Sequence, residues 1–257
     1  MPSISYRSDG IEWVKFGKLA IILTNTLSVG TAYDALVSYM LDNNEDIGDT
    51  TGTVNPIICE CNDGVINDIR GLHVKKEDVY GALENCHVEF QEGNLGAGTG
   101  MRSYGLKGGI GSSSRIIELD NKKYTIGVLV LSNFGCLEDF ILNGDHIGPK
   151  LIKKIEDYSP TEDKGSIIVI LATDIPLSSR QLKRVIKRVD SGIARTGSYT
   201  SNGSGEVVIG FSTANRIKHY EENHIVNINI INENKIDNVF KATVEVTEEA
   251  ILNSLVC

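Results

Sequence analysis

No apolar run in the 257-residue sequence approaches the ~18 to 20 residues that cross a bilayer; residues 167–172 and 127–131, the longest, have strand length. No membrane partner is therefore expected. Residues 1–10 are polar and carry Arg7 and Asp9, so no signal peptide is expected there, and a cytoplasmic location is. Basic charge is in deficit: 25 Lys and Arg against 34 Asp and Glu leave a formal charge of −9. A general nucleic-acid binder needs a basic face to displace counterions, so nucleic acid is not an expected partner. The five cysteines (Cys59, Cys61, Cys86, Cys136, Cys257) are odd in number and form no CxxC, which argues against a disulfide framework. Cys59 and Cys61, one residue apart, share a strand face and read as small buried side chains rather than metal ligands. The five histidines (His73, His87, His146, His219, His224) contain no HExxH, and the His219/His224 pair has no nearby cysteine. Surface or capping roles fit them better than a metal site, and neither metal nor cofactor is expected. A G-x-S-x-G elbow is also missing, which removes support for a hydrolase of that type.

What is present is an ordinary globular composition, 41% hydrophobic and 23% charged, with length enough for one large α/β or α+β domain. A buried strand is expected over residues 18–23. A polar turn follows, then a helix from Thr31 on which Ala32, Leu36 and Tyr39 recur at helical spacing. A second strand over 56–60 runs into Asn62-Asp63-Gly64, and a helix is expected over 77–86. Residues 115–119 and 124–132 read as an antiparallel pair joined through Asp120-Asn121 and ending at Asn133-Phe134-Gly135. Periodicity fades over 138–164, which reads as a charged surface linker. The apolar strand 167–172 follows. Leu182, Val185, Ile186, Val189 and Ile193 then form one helical stripe, with Ser178 and Gln181 at capping-box spacing. Strands are expected over 207–212 and 225–231, and Thr247 as the cap of a terminal helix.

Eight of the nineteen residues from Gly93 to Gly111 are glycine. Bare backbone amides can cradle phosphate. Yet Gly96, Gly98 and Gly100 alternate instead of following G-x-G-x-x-G, and Lys107 is followed by Gly108 where a P-loop needs Ser or Thr. A tightly folded structural or pocket-lining loop is the better reading. The junction Gly165-Ser166 carries more chemistry, because charged linker residues precede it and a buried strand after it would hold Ser166 rigidly. A serine so placed can attack the preceding carbonyl in an N-to-O acyl shift. Hydrolysis of the ester then frees an α-amine, of reference pKa ~7.7 to 8.0, to serve as base for the same hydroxyl.

Six blocks in order carry a resemblance: Thr24-Asn-Thr-Leu-Ser-Val-Gly30; Glu60-Cys-Asn-Asp-Gly64 with Asn67-Asp68; Gly96-Ala-Gly-Thr-Gly-Met101 with Lys107-Gly-Gly-Ile-Gly111; Asn133-Phe-Gly135; Gly165-Ser166 with Ala172-Thr-Asp174; and Gly203-Ser-Gly-Glu206 with Phe211-Ser-Thr-Ala-Asn215. With these blocks the chain resembles the self-processing L-aminopeptidase/D-esterases and β-peptidyl aminopeptidases. The resemblance implies an α+β fold, a four-layer αββα sandwich like that of N-terminal nucleophile hydrolases. It implies one domain over 1–257, cut between Gly165 and Ser166 into fragments 1–165 and 166–257 that stay associated. Peptides and aminoacyl amides or esters are the implied substrates, and a homo-oligomer of processed pairs the implied assembly.

By the same resemblance Ser166 matches the nucleophile, and Ser204 and Glu206 the pair that orients the nucleophile and its amine. Asn133 matches an oxyanion donor and Glu60 the carboxylate that binds the substrate's ammonium group. Read alone, Ser204 fits a turn residue and Asn133 a strand-end cap better than a catalytic role, and Glu60 can be an exposed loop acid. Asn62, a candidate substrate contact, stands where the family carries a tyrosine, and Leu27 where a histidine is expected. Relative to the family the chain is expected to be truncated at both ends. Two other readings remain open here: a non-catalytic remnant acting in binding or assembly, and an acyltransferase of the ornithine acetyltransferase type, whose nucleophile is threonine.

Overall fold

The computed structural model describes residues 20–50, 52–160, 162–216 and 221–256. Strand β1 (Ile21–Asn25), helix α1 (Val29–Asp42), strand β2 (Ile57–Cys61) and helix α2 (Lys76–Glu84) form the first half. β1 and β2 pair in parallel, with Thr24 opposite Glu60. Side chains alternate across this small sheet. Ile22 packs with Ala32, Ala35, Leu36, Met40, Val79 and Leu83 beneath the two helices, whereas Ile21, Leu23, Cys59 and Cys61 face the other way.

What they meet is a second sheet. The short strands β3 (Arg102–Ser103) and β4 (Leu106–Lys107) lead into the long pair β5 (Gly109–Leu119) and β6 (Lys122–Asn133). After β7 (Ile141–Leu142), β8 (Asp145–His146) and α3 (Gly148–Ile152) come β9 (Ser166–Thr173), α4 (Ser179–Ile186), α5 (Val189–Arg195), β10 (Gly205–Ser212) and α6 (Asp237–Val256). The sheet order is β10-β9-β6-β5, with β10 and β9 parallel and the other two pairings antiparallel. Leu131, Ile168 and Ile170 point at the first sheet; Val128, Val130, Ile167, Val169 and Leu171 join Val185, Val189, Val239, Val246 and Ile251 on the side of α4, α5 and α6. Each fully buried aliphatic side chain contributes about 1.5–3 kcal/mol, so the alternation drives both faces inward. The result is the αββα layering that the resemblance implied.

Several elements differ from the sequence reading, each for a physical reason. The expected linker over 138–164 contains the β7–β8 hairpin and α3, because Gly148 lets that helix start against the Leu137 carbonyl, where a Cβ would collide. The single stripe from Leu182 to Ile193 breaks into α4 and α5, with Arg188 donating its N–H to the Val185 carbonyl and laying its guanidinium over Phe240. Ser178 caps α4 with Gln181 as expected. α6 starts ten residues before Thr247 (247 − 237); that residue is mid-helix, its hydroxyl donating back to the Thr243 carbonyl at 2.7 Å. Residues 225–231 pair with no strand; Ile225 is 83% exposed and only Ile231 of the segment is buried. The expected strand at 18–23 runs over Ile21–Asn25, and its first two positions, with His219 and Cys257, lie outside the described residues.

The glycine-rich segment settles around a lysine. Gly96–Gly100 makes a 3-10 turn, and Lys107 Nζ donates to the carbonyls of Gly98 (2.7 Å), Met101 (2.9 Å) and Gly108 (2.5 Å). The loop thus offers this cation carbonyl oxygens, the opposite polarity from an anion cradle. Burial lowers the Lys107 pKa. Lys107→Met is expected to leave these carbonyls unpaired and to destabilise the fold by about 3 kcal/mol, read as a lower midpoint in urea unfolding.

Candidate active site

β6 ends at Asn133 and β9 begins at Ser166, and the two are register partners across the antiparallel ladder. On the other flank Ser166 is opposite Gly205, the first residue of β10. A Cβ on Gly205 would lie 4.0 Å from that of Ser166, so the glycine leaves the serine side chain open space. The half-buried Ser166 therefore sits at a strand end between two neighbouring strand ends. A side chain on Gly165 would overlap the Asn133 carbonyl oxygen and come within 2.6 Å of Phe134 Cα, which restricts the position to glycine.

Asn133 is 9% exposed and its orientation is set from both sides. Its Oδ1 accepts from the Arg102 backbone N–H at 2.9 Å, and its Nδ2 donates to the Asn62 carbonyl at 3.0 Å. An amide nitrogen carries two hydrogens, so one N–H of Asn133 stays available beside Ser166. Asn62 itself is exposed, and its side chain accepts from Gly64 N–H at 2.9 Å, closing its own turn. Its contribution to this cluster is its backbone carbonyl.

Cys61 donates its thiol toward the Ser166 carbonyl at 3.6 Å and the Leu131 carbonyl at 3.7 Å. Burial pushes this thiol up to about 12, and that of Cys59 up to about 11, so both are neutral packing groups, as the sequence suggested. Glu60 alternates onto the opposite face of β2 from Cys61, where the Thr26 hydroxyl donates to its Oε2. The structure places it next to the cluster without joining it to Ser166. Leu27, at the expected histidine position, is 49% exposed in the turn before α1.

Ser204 immediately precedes β10 and Glu206 is its second residue, the two flanking Gly205, and Glu206 takes the strand face of the even-numbered residues. That face is the helix side of β10, the side of Val208, and Ser166 belongs to the other. Ser204 Oγ and Glu206 Oε1 are both buried without a well-formed hydrogen bond. The Ser204 hydroxyl is still near enough to favour the ionised carboxylate, but burial outweighs it and, with the charges of Asp163 and Asp190, raises the Glu206 pKa. Sequence reasoning missed Asp163, which it assigned to the linker; the Asp-x-Gly spacing that lets its carboxylate accept from Gly165 N–H was the available signal. A cavity of about 390 Å³ lies elsewhere, lined by Thr24, Asn25, Asp63, Asn67, Ala97 and Thr99 among others, and none of Ser166, Asn133, Ser204 or Glu206 lines it. Among the described residues no cluster of three or more His, Cys, Asp or Glu is placed to hold a metal ion, and no helix is long and apolar enough to cross a membrane.

The model of peptidase family S58 matches residues 8–257. The chain belongs to peptidase family S58. Curated relatives include the β-peptidyl aminopeptidase BapA of Sphingosinicella microcystinivorans, 37% identical over 92% of this chain and 62% of that protein. The enzyme of the same name from Sphingosinicella xenopeptidilytica is 32% identical over 92% and 61%. The chain thus spans about three-fifths of the length of these S58 relatives. Among solved structures, a Pyrococcus horikoshii OT3 protein superposes with a TM-score of 0.85 at 53% identity, covering 93% of this chain and 65% of its own. The L-aminopeptidase D-Ala-esterase/amidase of Ochrobactrum anthropi, described as a prototype of the serine aminopeptidases and a variant of the Ntn hydrolase fold, superposes at 0.83 with 38% identity over 91% and 64%. The fold is therefore the α+β Ntn-hydrolase variant of the S58 family. The acyltransferase and non-catalytic readings gain no support from these matches.

Proposed function

We propose that the chain is a self-processing serine aminopeptidase of the S58 family. In this reading the Gly165–Ser166 bond breaks, and the new N-terminal Ser166 carries acyl groups from substrate to water. The observation that carries the proposal is the placement of Ser166 at the first position of β9, with Asn133 in register beside it. In the processed protein the α-amine of Ser166 takes the proton of its own hydroxyl as Oγ attacks the carbonyl of the first residue of the substrate. The spare Asn133 N–H receives the developing oxyanion, and the ester is then hydrolysed. Glu60, one residue from Cys61 at the end of β2, is the carboxylate assigned to the substrate's free ammonium group. Asn62 supports the oxyanion donor through its carbonyl. Cytoplasmic location and a homo-oligomer of processed pairs complete the reading, which needs no cofactor.

The unpaired oxygens of Ser204 and Glu206 support the same proposal. Buried polar atoms without partners are costly, typically about 1–3 kcal/mol each, and a newly freed amine one residue across the ladder supplies N–H donors for both. Glu206 must then be ionised in the working enzyme. Burial raises the Glu206 pKa in the uncut chain, and Glu206→Gln is expected to lower kcat of the processed enzyme. The sign for stability runs opposite to that of a salt-bridged acid. The folded chain holds this proton more tightly than the unfolded one, so stability falls as pH rises from the unfolded glutamate pKa toward the folded one. Urea midpoints of Ser166→Ala, with and without Glu206→Gln, check this across that window. Hydrolysis of an aminoacyl p-nitroanilide, set against its N-acetylated analogue, tests the activity: turnover of the free amine alone is expected, and equal turnover of both contradicts the role of Glu60.

A further inference from the structure

Among the described residues, one carboxylate outside the assigned set touches Gly165, the turn after β6 and the loop before β10. Asp163 Oδ1 accepts from Gly135 N–H at 3.0 Å and from Gly165 N–H at 3.2 Å. Its Oδ2 accepts from the Ser201 hydroxyl at 3.1 Å. The backbone carbonyl of Asp163 faces Gly203 so closely that a Cβ there would collide with it. Gly135 follows Asn133 and Phe134 in the turn after β6 and has φ +83°, a conformation suited to glycine. Ser201 and Gly203 belong to the loop that delivers Ser204. Asp163 therefore ties the acyl side of the bond to the turn bearing Asn133 and to the loop bearing Ser204. Just beyond this tie, Gly205 N–H donates to the Gly165 carbonyl oxygen at 3.2 Å.

We infer that Asp163 is the positioning residue for self-cleavage, holding Gly165 so that its carbonyl oxygen rests on Gly205 N–H while its carbon stays within reach of Ser166 Oγ. The inference rests on the self-processing reading above. In the step it serves, Oγ bonds to the Gly165 carbonyl carbon, the C–N bond to Ser166 breaks, and the hydroxyl proton ends on the departing nitrogen. Water then cleaves the ester, adding OH to Gly165 and returning H to Oγ, which leaves a carboxyl group and a free amine. Gly205 N–H opposes the negative charge that builds on the carbonyl oxygen. A misplaced carbonyl loses that donor and the line of attack together, a larger effect on rate than on folding.

The experiment follows freshly translated chain, by intact mass, as it converts to fragments 1–165 and 166–257. Asp163→Ala is expected to slow conversion about tenfold or more, the equivalent of one to two lost hydrogen bonds. Asp163→Asn keeps Oδ1 as acceptor and offers its amide to the Ser201 oxygen, so it is expected within about threefold of the unsubstituted chain. Ser201→Ala removes one contact of three and is expected to slow conversion about twofold to threefold. Conversion of Asp163→Ala at the unsubstituted rate overturns the inference alone, as does failure of Asp163→Asn to recover the rate. A chain that never converts in any form overturns the self-processing reading and this inference with it. Melting of Asp163→Ala in the Ser166→Ala background separates positioning from folding: a cooperative transition is expected. If cooperativity is lost, the Ser201→Ala rate decides, slower supporting the inference and unchanged overturning it.

Discussion

Ser166→Ala is expected to purify as one uncut chain and to lose aminopeptidase turnover by about four to six orders of magnitude. Two functions vanish with one oxygen atom. The precursor has no nucleophile to attack Gly165, so the α-amine that serves as base is never freed, and no acyl-enzyme forms even if substrate binds. Folding is a separate matter, because the Ser166 side chain sits half-exposed at the entrance to β9 and the strand beyond it is held by Ile167 to Leu171. The variant should therefore melt cooperatively. Circular dichroism and turnover on the same sample separate the outcomes. A folded, uncut and active Ser166→Ala protein contradicts the assignment of the nucleophile.

Asn133→Ala is the second large effect, expected to lower kcat by about 100-fold to 1,000-fold with a small change in KM. The reason lies in its fixed orientation. With Oδ1 held by Arg102 N–H and one hydrogen of Nδ2 by the Asn62 carbonyl, the amide plane is fixed before substrate arrives and one N–H remains to donate. Such a donor stabilises charge only as it develops, which is why the loss appears in kcat. Asn133→Asp gives a contrasting variant, since it keeps the acceptor for Arg102 but sets a carboxylate oxygen against the Asn62 carbonyl. It is expected to be at least as slow as alanine. A raised KM with kcat unchanged would place Asn133 in substrate binding instead.

Much of this architecture was legible because strand alternation is local. The apolar residues 167–172 announce a strand buried on both faces, and the structure shows Ile167 and Ile168 in different cores. The Ser178–Gln181 box marked the start of α4 for the same reason, since its hydrogen bonds span three residues. Long-range contacts were not legible. The start of α6 was obscured by Thr247, which suggests a cap in isolation but, like Thr243, bonds back along a helix packed on β5, where Gly111 admits it. Residues 225–231 have strand composition, yet their backbone pairs with no strand, so composition misled. At the site, the register of Asn133, Ser166 and Gly205 follows from three separate strands meeting, and spacing in sequence contains none of it. Only the sheet shows that Glu206 takes the helix side of β10, the face Ser166 does not use. Asp163 stayed hidden inside a charged run because its partners, Gly135 and Ser201, are 28 and 38 residues away.

The account depends on backbone scission that creates its own catalyst, and intact-mass spectrometry of the purified, folded chain under denaturing conditions examines that event directly. Two species are predicted, one ending at Gly165 and one beginning with a free amine on Ser166, in equal amounts and eluting together under native conditions. A single full-length mass from protein that melts cooperatively contradicts the account.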